Sequence, residues 1–443
     1  MSTTLPSKAA PITPAVLPEH LYVHVPFCAS KCDYCDFFSI PLRPAQPRSC
    51  GSRAAAGAVA GGAAGSMTGS TAGAASGIAA ADAAASADAV FSGIAGEIRD
   101  WAGLGLEGSL RTLYFGGGTP SLVPGQVASV IRLVRECFDV SPAIEITVEA
   151  NPDALAPAAL ETLLCAGVNR ISLGVQSFDD GALAFLGRRH NAERALEAAR
   201  LVCATGAALS LDLICGIPGQ QGDGWRETLE AACAIDAGHV SVYPLSVEAQ
   251  TPLALRIEAE EVADIDPDVQ AEEMLVAAQV LEARGYERYE VANYARSPAE
   301  CSRHNTAYWI GAPYVGIGPG AHGMVEAARG AVEAAYGVAE AAHGRVRWAN
   351  AKDIGCWWGE AREVELLTRE EALREDAMLG MRLVCGIADE LVVNAELGAV
   401  MASLEADGLV RHASGRWQAT ERGWLLGNEV FSRIWNAASS LCA

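Results

Sequence analysis

The run Leu21-Tyr-Val-His-Val-Pro-Phe27 leads directly into Cys28-Ala-Ser-Lys-Cys32-Asp-Tyr-Cys35. The apolar run is short and nearly continuous, which is typical of a strand buried on both faces of a parallel sheet. The three cysteines that follow come from one tight loop at the end of that strand. The stretch therefore predicts an α/β fold that presents three thiols at a strand end.

Five further apolar runs support the same fold. They lie at residues 112–115, 144–149, 170–175, 209–215 and 239–245, and helix-like segments separate them, among them 127–137, 157–166 and 192–205. With the strand at Leu21, the sequence predicts six β/α units, which form either a partial (β/α)6 barrel related to the TIM barrel or an open α/β domain. Functional residues of such folds gather at the carboxyl ends of the strands. The unusual sequences occur at those ends: Gly116-Gly-Gly-Thr-Pro120, Glu149-Ala-Asn-Pro152, Gln176 and Gly216-Ile-Pro-Gly219.

Composition excludes several classes of protein. The 443 residues carry a formal charge of −22, with a pI near 4.8, which argues against a nucleic-acid partner. No run approaches the about 20 apolar residues of a membrane span, so any membrane association is peripheral. The N-terminus has no secretory h-region, and we expect a cytoplasmic protein whose thirteen cysteines are reduced.

The chain divides into four predicted parts. Residues 1–20 are a flexible N-terminus and residues 21–250 are the barrel core. Only seven of the forty residues from 51 to 90 are other than Ala, Gly, Ser or Thr, so we predict a flexible insertion at 41–92 within the core. Residues 251–355 complete the barrel and contact a ligand. Residues 356–443 form a small helical and winged domain, with a hairpin formed by 408–411 and 416–420.

The cysteine spacing indicates a cofactor. Thiolates bind iron–sulfur clusters, and most [4Fe–4S] clusters use four of them, so a loop with three leaves one iron open. The CxxxCxxC pattern of Cys28, Cys32 and Cys35 resembles that of the radical-SAM superfamily, in which S-adenosylmethionine (SAM) chelates the open iron. Residue chemistry alone leaves two alternatives: reduced structural cysteines, or a zinc site completed by a remote ligand.

The superfamily resemblance also implies the residues that contact SAM. It places Tyr34 near the adenine and the backbone of Gly117, Gly118 and Thr119 around the methionyl group. Four polar residues at later strand ends suit the ribose and the amino-acid part of SAM: Glu149, Gln176, Arg188 and Asp212. The simpler interpretation is a tight turn for the glycines and a capping or solvated role for each polar residue.

Longer motifs narrow the resemblance. Tyr22-Val-His-Val-Pro-Phe-Cys28, Tyr114-Phe-Gly-Gly-Gly-Thr-Pro-Ser121, Gly174-Val-Gln-Ser-Phe178 and Asp212-Leu-Ile-Cys-Gly-Ile-Pro-Gly-Gln220 resemble the oxygen-independent coproporphyrinogen oxidase group, and within it the haem-chaperone branch. Tyr22 joins the predicted cofactor-binding residues on this ground. The oxidases carry a further cysteine two residues after the triad, where this chain has Phe37, and a longer N-terminal arm.

A second motif favours the haem-chaperone branch. His304-Asn-Thr-Ala-Tyr-Trp309 matches an HNxxYW pattern of that branch, and the resemblance implies that His304 contacts haem. The alternative is that this segment ties a loop against the barrel.

The resemblance thus predicts a chaperone that binds haem, a [4Fe–4S] cluster and SAM, and delivers haem to apo-haemoproteins. Enzymatic conversion of coproporphyrinogen III is the alternative, and Phe37 disfavours it. Radical-SAM modification of tRNA is a third class, which the acidic composition disfavours.

Overall fold

The computed structural model describes residues 3–4, 14, 16–42, 87–220, 223–326, 344–355, 357 and 362–437. Its centre is a parallel sheet of six strands in sequence order: β1 (His20–Val25), β2 (Ser109–Gly117), β3 (Asp139–Ala150), β4 (Arg170–Gln176), β5 (Ala208–Cys215) and β6 (His239–Pro244). The partial barrel is therefore confirmed, and each predicted strand lies within about two residues of an observed one or inside it.

A seventh parallel strand, β7 (Tyr314–Ile317), was not predicted. It pairs with β1, so that Val315 lies beside Leu21. Its four residues are too short and too rich in glycine to be distinguished from a loop by sequence pattern alone.

Antiparallel strands extend the sheet on both sides. Beyond β7 lie His322–Val325, Arg345–Ala349, Glu363–Leu367 and Thr3–Thr4, and beyond β6 lie Asn293–Ala295 and Glu287–Arg288. In the described part of the chain the sheet has two free ends, so the barrel is open. Two short strands, Phe27–Cys28 and Ile40–Pro41, pair with each other beside the cysteine loop.

Helices cover the sheet because their apolar residues recur at helical spacing. In Ala192–Cys203 the buried residues are Ala195, Ala198, Ala199 and Val202, which is the i, i+3, i+4, i+7 pattern of one helix face. The other helices of this part are Ala87–Gly103, Pro124–Cys137, Pro157–Cys165, Asp180–Phe185, Gly224–Ala234, Pro252–Glu258, Pro267–Ala283 and Arg303–Trp309. Two 3-10 turns, Pro120–Leu122 and Pro298–Glu300, complete it.

The C-terminal part has a hydrophobic core of its own, which includes Met381, Leu404 and Ile434. Its helices are Arg369–Gly380, Asp389–Asn394, Gly398–Ala406, Glu421–Leu425 and Gly427–Trp435. They pack around a small sheet in which Val410–Ala413 and Arg416–Ala419 form the predicted hairpin, with Ile387–Ala388 beside it.

Two predicted boundaries need adjustment. Residues 87–92 were included in the flexible insertion, but they begin a helix in which Val90 and Phe91 are buried. The C-terminal part was predicted to begin at 356, yet Glu363–Leu367 pairs with Arg345–Ala349 in the main sheet. The rest of the insertion, residues 43–86, and most of the predicted flexible N-terminus lie outside the described residues. No described helix is both long and apolar enough to cross a membrane.

One buried carboxylate joins distant parts of the chain. Glu97 is 1% exposed and accepts hydrogen bonds from Gly318 N (2.9 Å), Asn350 Nδ2 (3.0 Å), Trp357 Nε1 (3.3 Å) and Arg362 Nη2 (2.8 Å). Burial raises the pKa of Glu97, while the positive charge of Arg362 lowers it. The helix that follows the insertion is thereby fixed to the strands around β7.

We expect Glu97→Ala to lower the free energy of unfolding by about 3 kcal/mol or more, because it removes the acceptor of Arg362 and of three further buried donors. Chemical denaturation would measure the loss. Glu161→Ala, at an exposed helix position, is the control and should change stability by less than about 0.5 kcal/mol. Equal effects of the two substitutions would contradict this role of Glu97.

Candidate functional site

The three cysteines of the loop line a single cavity at the carboxyl ends of the strands. Cys28, Cys32 and Cys35 are each partly buried, free thiols, and all three border a cavity of about 440 Å³. The same cavity is lined by most residues predicted to contact SAM: Tyr34, Gly117, Gly118, Thr119, Glu149, Gln176, Arg188 and Asp212. Residues predicted from six separate segments thus meet in one place.

The cysteine loop is attached to the barrel through Asp33. The amide of Asp33 donates to Leu186 O (3.2 Å), and its carbonyl accepts from Leu253 N (2.8 Å). Its carboxylate pairs with Arg256 at 3.1 Å. The loop is therefore held in place by two neighbouring helices and their flanking residues.

Glycine is required where the second strand ends. Gly117 has a φ of 103°, which side chains rarely adopt, and a Cβ atom there would lie 2.3 Å from the ring of His24. A Cβ atom on Gly118 would lie 2.5 Å from the carbonyl oxygen of Phe27. Thr119 N donates to that same oxygen at 2.6 Å. The backbone after β2 therefore docks directly on the segment that leads into the cysteines.

A chain of hydrogen bonds connects two of the thiols. Thr119 Oγ1 donates to Cys28 Sγ (3.6 Å) and accepts from Asn151 Nδ2 (2.9 Å). Arg188 Nη2 donates to Asn151 Oδ1 (2.7 Å), and Arg188 Nη1 donates to Cys32 Sγ (3.4 Å). We call these five residues the thiol relay. Asn151 is the functional residue that the sequence analysis did not select, although it belongs to the Glu149-Ala-Asn-Pro152 sequence at a strand end.

The donor set fits a cluster held by three thiols. Cys28, Cys32 and Cys35 border the same cavity, and two of them accept hydrogen bonds of the kind that tunes cluster potentials. Burial raises the pKa of Cys28, and it raises that of Cys35 to about 11, so binding iron must displace protons from these thiols.

Two partly buried carboxylates, Glu149 and Asp212, also line the cavity. Glu149 accepts from the hydroxyl of Tyr114 (2.8 Å) and from Gly117 N (3.0 Å). Burial raises the pKa of Glu149 to about 7; the Tyr114 hydrogen bond opposes this rise and the charge of Asp212 adds to it. Asp212 accepts from Ser172 Oγ, Ser210 Oγ and Ser241 Oγ, and burial nevertheless raises its pKa. These carboxylates favour a ligand that brings positive charge.

Gln176 adopts an unusual backbone conformation. Its φ is 68°, in the left-handed region that costs a residue other than glycine about 1–3 kcal/mol. The pairing register between β4 and β5 shifts between Gly174 and Gln176, and Gly174 leaves room for the side chains of Gln176 and Arg188. The bulge aims Gln176 at the cavity, and such strain is typical of functional sites.

The structure places Tyr22 and His304 beside this cavity rather than in its wall. Tyr22 stacks on Tyr114 with ring centroids 6.0 Å apart. His304 is 1% exposed, and both of its ring nitrogens have partners: Nδ1 with Thr112 Oγ1 (2.7 Å) and Nε2 with Tyr308 OH (2.9 Å). This geometry favours the alternative that the 304–309 segment ties a loop against the barrel. Haem contact by His304 stays a prediction.

Comparison with known proteins identifies the class. Residues 22–232 match the radical SAM superfamily, and residues 367–426 match the HemN C-terminal domain. The fold resembles that of a solved structure, coproporphyrinogen III oxidase (HemN) from Escherichia coli, with a TM-score of 0.71 and 20% identity over 96% of this chain and 92% of that one. The chain is thus a radical-SAM protein with a HemN-type C-terminal domain.

Relatives narrow the identification to one family. The chain is 34% identical over 422 residues to the heme chaperone HemW of Mycobacterium tuberculosis, covering 93% of this chain and 94% of that protein. It is 29% identical to the heme chaperone HemW of Bacillus subtilis over 93% and 97%. It is also 32% identical to a mitochondrial radical S-adenosyl methionine domain-containing protein 1 of Danio rerio over 68% and 60%. The chain belongs to the HemW family.

The charge of Glu149 predicts how stability depends on pH. Its pKa of about 7 lies above the ordinary value of 4.5, so folding favours the protonated form and stability falls as pH rises between these values. We expect Glu149→Gln, in protein without cluster or SAM, to raise the free energy of unfolding at pH 8 by up to about 3 kcal/mol, with little change at pH 5.

Urea denaturation at the two pH values would measure this difference. Glu248→Gln is the control, because Glu248 borders the same cavity but is exposed, and it should leave stability unchanged at both pH values. An equal loss of stability at pH 5 and pH 8 in Glu149→Gln would show that hydrogen bonding, and not buried charge, dominates at this residue.

Proposed function

We propose that this chain is a haem chaperone that binds a [4Fe–4S] cluster through Cys28, Cys32 and Cys35 and binds SAM against the open iron. The observation that carries the proposal is the thiol relay, because it brings the cysteine loop and the predicted SAM-binding residues together in one cavity. Identity of 34% to a heme chaperone over 93% of the chain supports the haem function.

The charges in the cavity support SAM as the ligand. SAM carries a sulfonium cation, a carboxylate and an amino group. Glu149 and Asp212, whose pKa values burial raises, would accept hydrogen bonds from its ribose and amino group and gain from its positive charge. Arg188 would face the carboxylate. Gly117, Gly118, Thr119 and Gln176 would contact the methionyl part, and Tyr34 the adenine.

Phe37 supports a chaperone over the oxidase. Phe37 lies at the cavity margin with 63% of its surface exposed, and it supplies no fourth thiol. A bound cluster would supply an electron to SAM; whether haem transfer uses this step is a separate question.

Parallel incubations would separate the two functions. The protein is reconstituted anaerobically with iron and sulfide, and is then given either haem, or coproporphyrinogen III with SAM and reductant. We expect stable haem binding, haem transfer to an apo-haemoprotein, and no protoporphyrinogen. Turnover of coproporphyrinogen III without haem transfer would assign the chain to the oxidases instead.

Each cysteine of the loop can be tested alone. We expect Cys28→Ala, Cys32→Ala and Cys35→Ala to bind less than about one tenth of the cluster iron of the unmodified chain, because two thiolates do not hold the cluster. Iron and sulfide analysis with visible absorbance would measure this. Cys165→Ala, an exposed thiol at the end of a helix, is the matched control. Full cluster content in a loop variant would contradict the assignment of that cysteine.

A further inference from the structure

An accessible imidazole is the usual means by which a protein holds haem iron. Most described histidines are unsuited to this role. Five are at most 9% exposed, and each has at least one ring nitrogen in a hydrogen bond: His20, His24, His190, His239 and His304. Each would have to leave its partners and the core to reach a haem.

Two described histidines are exposed, and they differ in their partners. His412 Nε2 is engaged with Asp389 Oδ1 at 2.8 Å, and its ring packs on Trp417. His322 is exposed and its ring takes part in no hydrogen bond or ion pair with the described residues. It begins the strand His322–Val325, which pairs with Arg345–Ala349 so that His322 lies opposite Ala349.

The surroundings of His322 combine an apolar ring with a free cation. The turn before His322 contains Gly320. A Cβ atom added to Gly320 would lie 3.4 Å from Lys352 Cγ and 3.5 Å from Phe38 Cβ, so both of these side chains border the turn. Lys352 is exposed and pairs with no acidic side chain in the described part of the chain. Phe38 is partly buried against the ring of His24, at 6.2 Å between centroids, and Phe37 beside it is exposed.

This surface adjoins the cysteine loop. Phe38 follows Cys35 by three residues, and its carbonyl oxygen accepts from His24 Nε2 at 2.8 Å. His24 also contacts the glycine turn after β2, because a Cβ atom on Gly117 would touch its ring. A ligand bound over Phe38 would therefore lie next to the proposed cluster but outside the SAM cavity.

We propose that His322 is the axial ligand of a haem that binds on this surface, with Phe38 against the porphyrin and Lys352 near a propionate. This inference rests on the proposed haem function and names its site. Partial burial and the nearby charge of Lys352 lower the pKa of His322, and Arg347 acts in the same direction while Glu363 opposes it. This direction favours the neutral imidazole, which is the form that coordinates iron.

Haem titration of single variants tests the site. The full chain, with its cluster reconstituted, is titrated with haem and followed by Soret absorbance and by electron paramagnetic resonance of the ferric iron. Loss of a metal ligand's outer partner already costs about 10–100-fold in affinity, so we expect His322→Ala to weaken binding at least about tenfold and to change the ferric spectrum. His412→Ala is the matched control and should bind haem as the unmodified chain does.

A second comparison tests the orientation of haem. Lys352→Gln should weaken haem binding about two- to fivefold, as loss of an exposed ion pair does, and should leave the affinity for haem dimethyl ester unchanged. Equal losses for the two ligands would place the propionates elsewhere.

The outcomes distinguish an error in the proposed haem site from an error in the proposed haem function. If the unmodified chain binds haem and His322→Ala binds it equally well with an unchanged spectrum, the site is wrong and the haem function stands. A loss confined to His304→Ala would assign the ligand to the 304–309 segment instead. If the unmodified chain binds no haem, both the function and the site are wrong.

Discussion

The arrangement of the candidate site depends on the thiol relay. Its members follow different strands: the cysteines come after β1, Thr119 after β2, Asn151 after β3 and Arg188 after the helix that follows β4. Parallel pairing with a fixed register brings these ends to one edge of the sheet. The absence of a side chain at Gly118 then allows Thr119 to reach the cysteine segment. Substitution of Thr119 or Arg188 would remove a hydrogen bond to a thiol of the loop.

The charges in the cavity are compatible with the proposed ligand. Glu149, Asp212 and Arg188 all line it, and burial raises the pKa values of both carboxyl groups. A ligand with both a cation and a carboxylate would have an oppositely charged partner for each group. In our proposal the porphyrin binds outside this cavity, on the surface beside the cysteine loop where Phe37 and His322 are exposed and Phe38 is partly buried.

Much of the fold and of the candidate site could be predicted from the sequence. The six core strands were found because buried parallel strands are continuous apolar runs, and the cavity residues were found because strand ends converge.

The sequence did not predict β7, because its four residues, Tyr-Val-Gly-Ile, are too few to show the hydrophobic periodicity of a strand. Asn151 was not selected because its role arises only when Thr119 and Arg188 lie on either side of it. The buried cluster around Glu97 joins residues more than 220 positions apart, and no local pattern indicates such pairing. For His304 the motif predicts haem contact, and the motif alone could not show that both ring nitrogens have partners, because these partners lie 192 and 4 positions away.

We propose above that three cysteines hold a cluster whose fourth iron is open to SAM. Electron paramagnetic resonance of the reduced, reconstituted protein with and without SAM tests it most directly. If SAM binds the open iron, its addition changes the signal of the reduced cluster, and the change is lost in a Glu149→Ala, Arg188→Ala double variant that keeps its cluster. A cluster signal that SAM leaves unaltered at saturating concentration would contradict this account of the site.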